Sequence, residues 1–186
     1  QSSHYYTDFI DGCSLFGGNL CTLDLKTGKV TELLPEMNGG IFGRYDISYD
    51  ADRLVFDWKS DGDSGFRIYE VGLETNDPGA AGSSSPKLRQ LTYPPADEAQ
   101  RIAAYSRKNE MSSWAGKPLI YRHFTDDMHP IYLPDGGFAF ISSRCEYGIL
   151  CDGPDVFTTT VLYRMNGDGS NLERLSNSSV SEATPA

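Results

Sequence analysis

The sequence predicts an all-β protein, a partial β-propeller of four-stranded antiparallel blades. Short runs of alternating apolar and polar residues are separated by Gly, Asp, Asn and Pro along most of the chain, which is typical of strands joined by tight turns. A four-strand pattern also occurs twice, at 45–92 and 129–176, and such repetition is typical of propeller blades. Helical periodicity is confined to residues 97–108.

In the first copy, a strand, a polar turn and an apolar strand occupy residues 45–58, and a third and a fourth strand follow at 65–71 and 88–92. In the second copy, the corresponding strand–turn–strand lies at 129–142, with later strands at 160–165 and 172–176. A four-stranded sheet has two faces, and a blade buries both only by packing between neighbours.

Partial copies flank these two units. Residues 18–34 match the third and fourth strands of a blade, and residues 182–186 match 127–131, with Pro130 and Pro185 lying 55 residues apart. We therefore predict one propeller segment over 1–186. Its parts are a partial blade at 1–38, a blade at 39–92 with a flexible loop at 76–87, an insertion at 93–125, a blade at 126–176, and the start of another blade at 177–186.

The insertion at 93–125 is mixed in composition and contains Trp114 and His123. A loop of this length is usually functional or forms an interface, and surface decoration is the alternative. Since closed propellers need about four to eight blades, the predicted blades cannot close a ring by themselves. We expect either a segment of a longer polypeptide or closure by protein partners or further copies of the chain.

Composition limits the possible functions. The chain has 186 residues, 39% of them apolar, and a formal net charge of −10, so one domain with a buried core is expected. A pI near 4.6 argues against nucleic-acid partners, because phosphate binding needs clustered Lys and Arg. No run approaches the roughly 20 apolar residues of a membrane helix, so we predict no membrane insertion.

The cysteines form two local pairs that predict disulfides: Cys13, Cys21, Cys145 and Cys151. Local pairing is the most economical of the three possible connectivities, and four reduced thiols are the alternative. Persistent disulfides indicate a periplasmic, cell-surface or extracellular protein. Asn177 begins an Asn-Ser-Ser sequon, a possible glycosylation acceptor in such a location.

Several motifs carry a family resemblance. Pro-Asp-Gly at 134–136 and Asn-Gly-Asp-Gly at 166–169 resemble the turns of the TolB-type, WD40-like propeller repeat. The stretches at 3–6, 126–130, 142–145 and 161–169 are similar to the propeller (middle) region of the hydrazine synthase alpha subunit family and its exported planctomycete relatives. The resemblance implies an exported multidomain protein that sometimes carries c-type haem.

The sequence differs from that family because it lacks the motif for haem attachment. It contains no Cys-x-x-Cys-His, which covalent haem attachment requires, so we expect no cofactor on this chain and haem only from segments outside it. No G-x-S-x-G nucleophile motif occurs either, so we assign no catalytic residue.

One candidate metal site remains, at the start of the predicted inner strand of the second blade. Asp126, Asp127 and His129 could bind a structural cation together with ligands from other blades. Alternatively, Asp127 and His129 hydrogen-bond the backbone of the neighbouring blade. Tyr45, which the repeat aligns with His129, is not a metal ligand, and a shared metal ring would repeat its ligands.

The sequence thus predicts a non-catalytic binding or assembly scaffold within an exported protein. The alternatives are an arc of a hydrazine-synthase-like redox enzyme whose haem segments lie outside this chain, a metal-dependent lyase or hydrolase that uses His129, and a self-assembling surface or fibre protein.

Overall fold

The computed structural model describes residues 16–73, 88–104, 124–146 and 159–178, residues 182 and 185, and the backbone of four short strands between them. The strands in chain order are β1 (Cys21–Leu23), β2 (Val30–Glu32), β3 (Ile41–Ile47), β4 (Arg53–Lys59), β5 (Arg67–Gly72), β6 (Arg89–Gln90), β7 (Ser113–Trp114), β8 (Lys117–Pro118), β9 (Asp127–Tyr132), β10 (Phe138–Ser142), β11 (Gly148–Ile149), β12 (Gly153–Thr158), β13 (Val161–Met165) and β14 (Glu173–Arg174). Among the described residues, the α-helix α1 (Glu98–Ala104) lies between β6 and β7, and 3-10 turns occupy Pro35–Met37 and Ser143–Cys145.

The strands form two four-stranded antiparallel sheets. Sheet 1 has the order β3-β4-β5-β6, and sheet 2 has the order β9-β10-β13-β14. Three two-stranded hairpins accompany them: β1-β2, β7-β8 and β11-β12. The prediction of an all-β protein with four-stranded antiparallel sheets is therefore confirmed, and α1 lies inside the stretch at 97–108 where the sequence shows helical periodicity.

Alternation along β4 explains how sheet 1 is buried on both faces. Leu54 and Phe56 point to one face, Val55 and Asp57 point to the other, and all four are less than 7% exposed. Successive side chains of a strand project to opposite faces. A strand with buried residues on both faces must therefore lie between two other layers.

The layer between sheets 1 and 2 is the largest apolar core. Sheet 1 contributes Val55, Ile68 and Leu91, and sheet 2 contributes six side chains: Tyr132, Phe138, Phe140, Val161, Tyr163 and Met165. Burial of this apolar surface is what holds one sheet face against the other.

The opposite face of sheet 1 is covered by the N-terminal part of the described chain. Leu34 and Met37 pack with Leu54 and Phe56 in a second cluster, which the partly buried Trp58 joins. The indole N–H of Trp58 donates to the carbonyl of Met37 at 3.1 Å, so the 3-10 turn is fixed to the sheet. Sheet 1 is thus the middle of three layers.

The same hydrogen bonds recur from one layer to the next. In each layer, the leucine that directly follows the fourth strand donates its amide to a backbone carbonyl just before or within the third strand. The three pairs are Leu33 to Leu20, Leu91 to Ile68, and Leu175 to Leu162, each at 2.8 Å. The hairpin β1-β2 therefore occupies the place of the third and fourth strands of a unit that precedes sheet 1.

The passage between layers also recurs. The amide of Asp127 donates to the carbonyl of Phe66 at 3.0 Å, and the amide of Glu182 donates to the carbonyl of Thr160 at 2.8 Å. Phe66 and Thr160 each stand directly before the third strand of their sheet. Glu182 therefore meets sheet 2 as Asp127 meets sheet 1, at the 55-residue spacing of the sequence repeat.

Strand register changes one alignment made from the sequence. In the β3-β4 hairpin, the last hydrogen bond before the turn runs from the amide of Ser48 to the carbonyl of Arg53. In the β9-β10 hairpin, it runs from the amide of Leu133 to the carbonyl of Gly137. The first turn is therefore one residue longer. First-strand positions consequently correspond at a spacing of 85 rather than 84, and His129 corresponds to Arg44, not to Tyr45. The pairing register also shifts within β3 and within β9, as at a β-bulge.

Candidate functional site

The three predicted metal residues lie at the start of β9, against sheet 1. Asp126, Asp127 and His129 are all buried, with exposed fractions of 6%, 0% and 7%. Their surroundings show how the charges are accommodated.

Asp127 is held by Arg144 in a two-pronged ion pair. The guanidinium Nε donates to Oδ1 at 2.9 Å, and the terminal nitrogen donates to Oδ2 at 2.6 Å. The hydroxyl of Ser142 donates to the same Oδ1 at 2.6 Å. Charge-assisted, two-pronged pairs of this kind are among the strongest polar contacts in proteins. The carboxylate of Asp127 is therefore bound by side chains of β10 and of the 3-10 turn after it.

Asp126 joins the two sheets. Its Oδ1 accepts the amide of Phe66, directly before β5 of sheet 1, at 2.9 Å, while its own amide donates to the hydroxyl of Ser143 at 2.8 Å. Burial raises the pKa of Asp126 to about 6. Within the part of the chain that the structure describes, no three His, Cys, Asp or Glu side chains are grouped so that they could hold a metal ion.

His129 lies at the irregularity in β9, with a φ of 54°. Its amide N–H points to the carboxyl of Asp57 in sheet 1, which also accepts the amide of Arg44 at 2.7 Å. A Cβ at Gly43 would overlap this carboxyl, so glycine is required beside it. Burial raises the pKa of Asp57 to about 7.

Helix α1 contributes a polar cluster at the same end of the sheets. Glu98 accepts the amide of Thr125 at 2.8 Å and pairs with Arg67 at 3.1 Å. Arg67 also donates to the carbonyl of Thr125, and Arg101 donates to its hydroxyl at 2.8 Å. The first part of the predicted insertion is therefore fixed across the junction between the sheets.

A second cluster joins the other end of the sheets. Glu70, which is 1% exposed, accepts the hydroxyl of Tyr132 at 2.9 Å and Nε of Arg89 at 2.6 Å. Arg89 also donates to the carbonyl of Gly167, in the turn between β13 and β14, at 2.7 Å. Arg53 lies 5.9 Å from the centre of the Tyr132 ring. Burial, followed by the charge of Glu70, raises the pKa of Tyr132.

Sequence reasoning missed Glu70, Glu98 and Asp57. Each is a charged residue in a polar–apolar pattern, where a solvent-exposed position is the ordinary expectation. Their partners lie far along the chain: the Tyr132–Glu70 contact spans 62 residues. No local signal could have shown that Glu70 and Asp57 are buried and that Glu98 is half-buried.

The cysteine and glycosylation predictions fall partly outside the described residues. Cys21 lies exposed on β1, and Cys145 lies half-buried with its Sγ 3.5 Å from the carbonyl of Thr159. Their predicted partners, Cys13 and Cys151, are not among the described residues, so the disulfides remain predictions. The side chain of Asn177 is exposed, and its glycosylation also remains a prediction.

Two surfaces expose apolar positions that the repeat buries elsewhere. Ile47 ends β3 as Tyr132 ends β9, yet Ile47 is 47% exposed and Tyr132 only 7%. Leu175 corresponds to Leu91 through its hydrogen bond, yet Leu175 is 47% exposed and Leu91 only 4%. We call the first surface, which includes Tyr45, the head face and the second the tail face.

The two faces point in opposite directions. Ile47 pairs with Leu54, and paired residues of antiparallel strands project to the same side. That side of Leu54 faces away from sheet 2. Leu91, the counterpart of Leu175, packs forward onto sheet 2, so Leu175 faces away from sheet 1.

No protein-family model matches the chain, and no curated protein is similar to it. Among the described residues, no helix combines the length and apolar character needed to cross a membrane.

Proposed function

We propose that this chain is a non-catalytic binding and assembly scaffold, an arc of a TolB/WD40-like β-propeller in an exported protein. One observation carries the proposal: the contact between Asp127 and Phe66 recurs between Glu182 and Thr160. In a repeat array, each unit contacts its neighbour in the same way, and this recurring backbone contact between successive sheets fits that pattern.

The chemistry of the junction supports a structural role for its charged groups. Asp127 is bound by Arg144, Asp126 by the amide of Phe66, and Glu70 by Tyr132 and Arg89. These contacts join sheet to sheet. Asp127 and Glu70 are paired with arginines, so their charges are used within the junction itself.

The partners in this proposal are proteins, either other chains or further copies of this one, that cover the head and tail faces. Export is supported by the two local cysteine pairs in the sequence. The proposal assigns no cofactor to this chain.

Hydroxyl-radical footprinting tests the scaffold role. The protein would be isolated with its natural partners, labelled, and compared with the separated chain. We expect labelling of Tyr45, Ile47 and Leu175 to fall at least about fivefold in the assembly, since buried side chains lose contact with solvent. Tyr93, which is 60% exposed, serves as the control. Equal labelling of the three face residues in both states would overturn the proposal.

A further inference from the structure

A carboxylate of the chain itself occupies a two-donor site beside the junction of the sheets. Oε1 of Glu98 accepts a terminal guanidinium nitrogen of Arg67 at 3.1 Å and the backbone amide of Thr125 at 2.8 Å. The side chains of Glu98 and Arg67 are only 13% and 9% exposed. Hydrogen bonds to an ionised acceptor are stronger than those between neutral groups, so these two donors suit a carboxylate.

Both donors are held by contacts that do not involve Glu98. The other terminal nitrogen of Arg67 donates to the backbone carbonyls of Phe66 and Thr125. The carbonyl of Thr125 lies directly against Gly65, where an added Cβ would overlap it. These contacts persist when Glu98 leaves, so the site is preorganised for another carboxylate.

Helix α1, which carries Glu98, is fastened by polar contacts. Arg101 donates to the hydroxyl of Thr125 at 2.8 Å and pairs with Glu146 at 3.3 Å, and none of the seven described residues of the helix is buried. A helix this short is not stable by itself, and partly exposed ion pairs contribute little. Loss of the Glu98 contacts should therefore release α1 while the sheets stay joined.

We propose that Arg67 and the amide of Thr125 form a carboxylate-binding site whose internal occupant is Glu98. An acidic side chain of a protein partner takes the place of Glu98 and releases α1. The site already holds a glutamate side chain, so it admits a carboxylate that is attached to a polypeptide. The inference rests on the proposed function, which supplies the protein partners.

The test begins with a variant that empties the site. Glu98→Ala removes the internal occupant. Asp97→Asn is the matched control, since it removes the neighbouring carboxylate of the same segment, which pairs with Arg101 at 3.5 Å, and leaves Glu98 in place. Circular dichroism would verify the fold of both variants, and Glu98→Gln, which keeps the length of the side chain, replaces Glu98→Ala if that variant does not fold.

Nuclear magnetic resonance of the Thr125 amide supplies the first readout. The probe is N-acetyl-glutamate methylamide, whose only charge is the side-chain carboxylate, and sodium chloride keeps the ionic strength constant. We expect a saturable shift of this amide resonance in Glu98→Ala. The unaltered chain and Asp97→Asn should need at least about tenfold more probe for the same shift, because the tethered Glu98 competes at a high effective concentration.

Hydrogen exchange within α1 reports on its release. The amide of Arg101 donates to the carbonyl of Asp97 at 3.0 Å. In the unaltered chain, exchange of this amide should accelerate as the probe fills the site, because displacement of Glu98 unfastens the helix. A purely structural ion pair would show no such dependence on the probe.

Four outcomes would overturn the inference. They are the absence of a saturable shift in Glu98→Ala, equal half-saturation in that variant and in the unaltered chain, binding of acetate without binding of the glutamate probe, and exchange in α1 that does not respond to the probe. None of them changes the footprinting comparison, which follows Tyr45, Ile47 and Leu175. Failure of the carboxylate site is therefore distinguishable from failure of the scaffold role.

Discussion

The hydroxyl of Tyr132 gives a direct test of how the two sheets are joined. It donates to the carboxylate of Glu70 at 2.9 Å, and the two residues are 7% and 1% exposed. A hydrogen bond to a buried charged group contributes about 1.5–3 kcal/mol. Because Arg89 remains bonded to the same carboxylate at 2.6 Å, we expect Tyr132→Phe to lower the free energy of unfolding by about 2 kcal/mol.

Urea denaturation followed by tryptophan fluorescence would measure this change. With a urea slope of about 2 kcal/mol per molar, the midpoint should fall by roughly 1 M while the slope stays constant. Tyr49→Phe is the matched control, because Tyr49 is 77% exposed and surface substitutions change stability by no more than about 0.5 kcal/mol.

A double-mutant cycle with Glu70→Gln separates the contact from the rest of the site. If the hydroxyl and the carboxylate interact as described, the two substitutions should couple by at least about 0.5 kcal/mol. Additive effects, or a Tyr132→Phe change no larger than that of the control, would refute the assignment of this hydrogen bond as a stabilising link between the sheets.

Three further predictions concern the core, the close approach of the sheets and pH. Phe140→Ala, at a fully buried side chain between the sheets, should lower the free energy of unfolding by about 3–5 kcal/mol, and a change below about 1 kcal/mol in urea denaturation would contradict the described core. Gly65→Ala should lower the melting temperature, because its Cβ would overlap the carbonyl of Thr125, whereas Gly62→Ala, with open space around it, should not; equal melting temperatures would count against this approach. Burial raises the pKa of Asp57 to about 7, so the native state binds more protons than the unfolded chain, and stability should decline as pH rises from about 4 to about 7 and then level off. Asp57→Asn should flatten that decline in a pH series of denaturation curves, and an unchanged profile would show that Asp57 is not its source.

The strands could be predicted because their determinants are local. The apolar run from Leu54 to Phe56 and the Pro-Asp-Gly turn at 134–136 are visible within a few residues, and β4 and β10 follow from them. The helix was also indicated, although α1 ends at Ala104, before the periodic stretch ends at residue 108. Local patterns do not show which side chains of a strand pack against which neighbouring sheet.

The polar junction could not be predicted because it depends on register and on distant partners. One extra residue in the turn after Ser48 moves the counterpart of His129 from Tyr45 to Arg44, and only strand pairing reveals this. The sequence pattern around Glu70 does not show which face of its strand is exposed to solvent. Its burial follows from Tyr132, 62 residues away, and from the stacking of a second sheet.

Strand β9 is fastened to sheet 1 near both of its ends, by Asp126 and Asp127 at Phe66 and by Tyr132 at Glu70. A body attached at one point can pivot, but one attached at two separated points resists torque. A pull on the loops at one end of sheet 2 is therefore passed to sheet 1 as a load shared by both attachments. Such a junction suits a stiff mechanical element, in which displacement at one layer moves its neighbour with it instead of opening a hinge.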